Sequence, residues 1–212
     1  MKRVQVDRES QLSVGQSQLS PSGNRAGTVY ALGGFGFVEF LVSLLVFSVG
    51  VLGLAATQIA AKRANYEAIQ RSIASSLAND IFERMRGNPG QLISYAQNEI
   101  GGSTLASTVD CNSAMCSTAD LASFDLREWS ELLNGVSEEV SIAGGISNAG
   151  GLVDSRACIE VDGGLVTIAI AWRGMSASTN PVGSKCGEPS ALYGPSHQRR
   201  RLLLMKSFIG AL

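Results

Sequence analysis

Residues 35–61 read FGFVEFLVSLLVFSVGVLGLAATQIAA, and this stretch decides how the chain is understood. Nineteen of its 27 residues are apolar, and Glu39 carries its sole charge. Residues 40–61 form 22 consecutive uncharged positions, and about 20 suffice to cross a bilayer as a helix. Four of the seven phenylalanines fall here: Phe35, Phe37, Phe40 and Phe47. A buried core helix is the competing reading, but such helices rarely run so far without a charge. Lys62 and Arg63 follow the run directly, so flanking charge does not settle orientation.

Upstream, residues 1–34 are polar and rich in Gly, Ser and Gln. Lys2, Arg3, Arg8 and Arg25 outnumber Asp7 and Glu9, and no apolar periodicity suggests a fold. A basic stretch ahead of an apolar run looks like a secretory signal, with two discrepancies. A signal core is about 7–15 residues long and ends at a small-residue site. This run is longer, and its small residues, Gly33 and Gly34, lie before it. Processing there would leave the apolar segment on the mature chain.

Downstream the chain turns amphipathic without a break. Tyr66, Ile69, Ile73, Leu77, Ile81 and Met85 recur every three or four residues, which predicts one helical stripe. Gly87-Asn88-Pro89 ends it. The reading is one helix over 35–86, on the order of 78 Å at about 1.5 Å per residue. No small domain needs such a helix inside it. The first half is expected in lipid or a helical bundle, and the second half against a globular head.

Residues 89–212 read as a small α+β head. Ser117-Thr118-Ala119-Asp120 is a capping pattern opening a helix over 118–134, with Ala122, Leu126, Trp129 and Leu133 as its buried stripe. Strands are expected at 139–143, 156–161, 165–172 and 201–209, with a hairpin turn at Asp162-Gly163-Gly164. Val166, Ile168, Ile170 and Trp172 alternate onto one face. The stretches near 101–108, 144–151 and 174–198 read as loops. Trp129 and Trp172 are expected as core anchors. Arg199-Arg200-Arg201 reads as a solvated strand start and a guard against edge pairing.

The whole chain has 212 residues, 17% of them charged, and a net charge of −1. Its pI is near 5.9 and its mean hydropathy is +0.15. This argues against disorder and against a general nucleic-acid binder, which carries a basic footprint. No G-x-S-x-G, P-loop, H-E-x-x-H or paired-acid pattern occurs, so no catalytic residue, metal site or cofactor is assigned. The lone histidine, His197, sits outside any ligand pattern. The four cysteines, Cys111, Cys116, Cys158 and Cys186, permit three pairings. With the head across a membrane, disulfides are expected. The preferred pairing is Cys111 with Cys116, closing a short loop ahead of the second helix, and Cys158 with Cys186, tying a strand to the long loop. Buried thiols are the alternative.

Gly34-Phe35-Gly36-Phe37-Val38-Glu39 before an unbroken apolar helix resembles the class III signal of type IV prepilins. Residues 41–55 (LVSLLVFSVGVLGLA) and 80–89 (DIFERMRGNP) resemble the long helix of PilV-type minor pilins. The likeness extends through Cys116 to Trp129, Val166 to Trp172, Cys186-Gly187 and the Arg199-Arg200-Arg201 strand, covering nearly all of 34–212. Gly36 departs from the family, which more often has Thr or Ser there. The leader is also long, and a shorter one would need a start such as Val14 or Val29.

The resemblance implies a type IV pilin fold, with the long N-terminal helix packed on a small antiparallel sheet. It divides the chain into a cleaved leader (1–34), an assembly half of the helix (35–61), an amphipathic half (62–88) and a periplasmic head (89–212). It implies cleavage between Gly34 and Phe35 by prepilin peptidase, N-methylation of Phe35, and a charge pair between Glu39 and the N-terminal amine of a neighbouring subunit. The implied partners are other minor pilins, the major pilin, the inner membrane and a tip adhesin, with no nucleic acid. The implied role is structural: a subunit that primes a pilus near its tip and supports twitching motility and attachment. A minor pseudopilin of type II secretion shares the motif and helix, but its usual head is smaller. A membrane-anchored periplasmic enzyme or sensor would need a catalytic cluster, which the sequence lacks.

Overall fold

A computed structural model describes residues 36–210, except 104, 107, 108, 137, 143, 144 and 149. The expected leader, Gly34 and Phe35 lie outside the described residues. By its internal contacts the chain divides into two units, Met1–Ser48 and Val49–Leu212. In the first, the described residues open helix α1, which spans Phe37–Gly87. Glu39 lies in its first turn, where a negative charge meets the positive end of the helix dipole.

The second unit is an α+β head. A 3-10 stretch (Pro89–Tyr95) follows α1, then strand β1 (Gln97–Ile100) and helix α2 (Thr118–Asn134). A hairpin of β2 (Glu139–Ile142) and β3 (Gly145–Asn148) comes next. β4 (Arg156–Asp162), β5 (Leu165–Arg173) and β6 (Arg200–Phe208) complete the order. The main sheet is antiparallel, in the order β1-β4-β5-β6. The fold is thus the expected one, a long N-terminal helix packed with a small antiparallel sheet.

Local chemistry explains the elements. Ser117 Oγ accepts from the backbone N–H of Asp120 at 3.2 Å and donates to its carboxylate at 2.6 Å, capping α2. Gly135, with φ of 67°, ends that helix in the left-handed conformation that glycine adopts without strain. Asp162 pairs with Leu165 across the two-residue turn at Gly163-Gly164, and the strands then pair without a break.

The core lies between α1, α2 and one face of the sheet. Ile81, Met85, Trp129, Leu133, Ile159, Val166, Ile168 and Ile170 are all fully or nearly fully buried in it. The buried stripe of α1 is Gln70, Ala74, Leu77, Ala78, Ile81, Phe82 and Met85. Ile69, expected inside, is 57% exposed. The stripe is rotated because Ala74 and Ala78 have no long side chain to hold neighbours off. Gln70 can also enter the interior because its Oε1 accepts the Val153 N–H at 3.3 Å. Trp129 fixes the crossing with α2, donating from Nε1 to the Leu77 carbonyl at 2.8 Å.

Two strands lie where the sequence predicts none. β1 (QNEI) is mostly polar and its pairing with β4 is irregular, so it carries no alternation. β3 lies within a Gly-, Ser- and Asn-rich stretch expected to be loop.

Candidate functional site

Every residue from 36 to 65 is exposed, although 40–61 carries no charge. Within α1 the most apolar window has a mean hydropathy of 2.4 and no buried residue. Polar groups inside the run are few, and its hydroxyls are internally satisfied. Ser43 donates to the Phe40 carbonyl at 2.9 Å, Ser48 to that of Leu45 at 2.8 Å, and Thr57 to that of Leu54 at 2.8 Å. Such back-bonding removes the need for water at those positions. The Glu39 backbone N–H donates to the Gly36 carbonyl at 2.9 Å. Its carboxylate is exposed and makes no ion pair among the described residues.

Where α1 meets the rest of the head, ionic groups fasten it. Glu67 accepts from Arg201 Nε at 2.7 Å and Nη2 at 3.0 Å, from the Met175 backbone N–H at 3.1 Å, and from Ser176 Oγ at 3.3 Å. The Arg201 hydrogen bond chiefly holds the Glu67 carboxyl below its ordinary pKa, against the opposing effect of burial. In its last turn, α1 is fastened again. Arg84 donates to Asp80 at 2.9 Å, Asp125 at 3.2 Å and Glu128 at 3.0 Å. Burial works against the Arg84 charge, but the Glu128 and Asp80 hydrogen bonds and the nearby carboxylates raise its pKa. Tyr95 donates to the other Asp125 oxygen at 2.6 Å, and burial raises the phenol's pKa well above the usual range.

The arginine run behaves differently from its expectation as a solvated edge guard. Arg200 is 0% exposed. It donates to the carbonyls of Ser184, Cys186 and Pro181 at 2.8–2.9 Å, to Asn180 Oδ1 at 2.9 Å and to Glu188 Oε1 at 3.1 Å. A guanidinium has five N–H donors, and the loop supplies acceptors for all of its nitrogens. Arg201 is turned to Glu67. The run therefore organises the loop at 174–198 and fastens the strand to α1. Nothing in its sequence signals this, because the acceptors are mostly backbone carbonyls remote along the chain.

Cys111 is joined to Cys116, five residues on, and Cys158 to Cys186, 28 residues on. The second bond ties β4 to the long loop over a small cluster of Ala169 and Leu202 on the outer face of the sheet. Tyr193 also pins the loop, donating to the Asp154 carbonyl at 2.9 Å, and burial has pushed its pKa up to about 12.

The head has two larger surface clefts, of about 530 and 590 Å³. The first is lined by Asn134, Asp154, Ser155 and Arg156 among others, and the second mainly by glycine and apolar residues such as Ile93 and Phe208. Neither holds a nucleophile beside a general base. Among the described residues no group of three His, Cys, Asp or Glu side chains is placed to hold a metal ion.

An exposed apolar helix running into a small disulfide-bonded α+β head defines a protein that can be anchored in a membrane by its N-terminal segment. Residues 56–127 match the family model described as "Tt1218-like: Type IV pilin Tt1218". That match covers about a third of the chain, from the end of the apolar run through most of α2. Together with the fold it supports a type IV pilin family and a structural role as a pilin subunit. No curated protein and no solved structure matches the chain.

Proposed function

We propose that the chain is a minor pilin of the PilV type, made as a prepilin and built into a type IV pilus near its tip. Residues 1–34 are its leader, 35–61 the lipid and assembly half of the helix, 62–88 the half that packs on the head, and 89–212 the periplasmic head. Prepilin peptidase cuts between Gly34 and Phe35, and Phe35 is methylated on its new amine. The partners are then other minor pilins, the major pilin and a tip adhesin, and the pilus serves twitching motility and attachment.

One observation carries this reading. The apolar half of α1 is exposed throughout, its hydroxyls bonded to its own backbone, with one carboxylate in the first turn. A charge at the middle of a bilayer costs about 2.5–3.5 kcal/mol on insertion scales. Glu39, near the helix end, costs less, and a neighbour's N-terminal amine offsets the remainder on assembly. Two charges poorly solvated in lipid then neutralise each other.

The test is mass analysis of the N-terminal peptide from membranes. A peptide starting at methylated Phe35 supports the reading, whereas Gly34→Ala yielding full-length protein with intact pilus function refutes it. In a deletion strain, loss of surface pili is expected, and loss of exoprotein secretion alone would point to type II secretion instead.

A further inference from the structure

β6 closes one side of the main sheet, and its hydrogen-bonding parity shows what its free side offers. Just beyond its ends, Ile209 N–H donates to the Gly164 carbonyl at 2.7 Å, and Gly174 N–H donates to the Arg199 carbonyl at 2.8 Å. In an antiparallel pair, bonded and non-bonded positions alternate. Positions 201, 203, 205 and 207 therefore bond to β5 in this register, while 202, 204, 206 and 208 turn their N–H and C=O groups away from it. Among the described residues no hydrogen bond reaches the backbone of those four outward positions.

Natural sheets guard such edges with charge, proline or a covering loop. Of the three charges on β6, Arg200 is buried beneath the loop at 174–198 and Arg201 is held by Glu67, which leaves Lys206 alone on the open edge. The outer face of the strand shows Leu204, Lys206 and Phe208, with Phe208 74% exposed beside the 590 Å³ cleft. Lys206 makes no ion pair among the described residues. It stands in one cross-strand row with Thr167 and Glu160.

We propose that β6 accepts an added strand from a different protein chain. That chain is an extended segment with a carboxylate opposite Lys206 and apolar side chains over Leu204 and Phe208. The unpaired backbone groups of 204, 206 and 208 supply the main-chain bonds, as in other strand-addition complexes. A second copy of β6 offers Lys206 no carboxylate, because Arg200–Phe208 contains no acid. Such binding would belong to the head alone and needs no assembled filament.

The test uses the full chain in detergent micelles, isotopically labelled, with a blocked nine-residue peptide alternating Val and Thr around one central Glu. Amide exchange at Leu204, Lys206 and Phe208 is expected to slow about tenfold or more. The amides of Leu203, Met205 and Ser207, already bonded to β5, should barely change. Lys206→Glu is expected to weaken this peptide about tenfold and to recover with a central Lys in the peptide. Leu204→Pro removes one outward N–H without touching the β5 ladder, and should abolish the protection. No protection at millimolar peptide overturns the proposal, as does equal binding by Leu204→Pro. Protection that grows with chain concentration alone overturns it in favour of a second copy. Unchanged affinity in Lys206→Glu overturns the acidic character of the partner.

Discussion

The two parts of α1 follow the same helical geometry in opposite surroundings. Residues 36–65 are exposed all round, whereas beyond them one side of the helix is buried against α2 and the sheet. The difference lies in what interrupts the apolar residues. Before residue 62 almost nothing does, so no side of the helix prefers a protein core. After it, Glu67, Arg71, Asp80 and Arg84 confine the apolar surface to a stripe. The head is folded onto the half with a direction, and the other half has none. An N-terminal apolar segment of this kind is consistent with membrane anchoring and with packing among other pilins.

Substitutions can break or sharpen that contrast. Urea unfolding of the full chain in detergent, followed by tryptophan fluorescence, reads the head alone, because Trp129 and Trp172 are both buried there. The largest effect is expected from Arg200→Met. It leaves the loop carbonyls and Glu188 without their buried cation, at a cost of about 3–5 kcal/mol, and it should open residues 180–188 to protease first. Ile81→Ala removes a fully buried side chain and should cost about 2–5 kcal/mol. Val46→Ala, on the exposed half, should leave the transition within about 0.5 kcal/mol. A comparable loss from both would end the distinction between the halves.

Reduction should follow. The Cys158–Cys186 bond closes a 28-residue span and should stabilise by about 3 kcal/mol, more than the five-residue Cys111–Cys116 loop. Single Cys-to-Ser pairs compared in the same assay check the order. A smaller effect belongs to Glu67. Its folded pKa is lowered from 4.5, so its stabilisation is complete above that value and lost as the pH falls through the folded pKa. Glu67→Gln should cost about 1 kcal/mol at neutral pH and flatten the acid limb of stability. Least of all, Glu39→Ala should leave both head stability and insertion intact while lowering incorporation into pili. Unchanged incorporation would remove the charge-pair role.

Periodicity made most of this fold legible. The long helix, α2 and the β4–β5 hairpin each carry a repeat or a turn signature, and each was found within a residue or two of its expected limits. β1 and β3 carry neither, being held by partners rather than by their own pattern. The buried stripe of α1 lies about one position away from the one its large residues mark, because Ala74 and Ala78 belong to it. Close approach, however, is decided by the small ones. The role proposed for Glu39 rests on residue type and place, which are properties of the sequence. The roles of Glu67 and Arg200 depend on which loop crosses them, which sequence supplies only through the finished fold.

The back-bonded hydroxyls of Ser43, Ser48 and Thr57 carry one more consequence. A serine that seeks a partner on a neighbouring helix fixes the angle at which the two must meet. These three seek none, so the segment from Phe40 to Thr57 can turn about its own axis, or pass from hydrocarbon to a bed of other helices, with none of these hydroxyls changing partner. Such a stretch works like a bearing surface: it meets either environment largely through shape and leaves orientation to the charged end and the head.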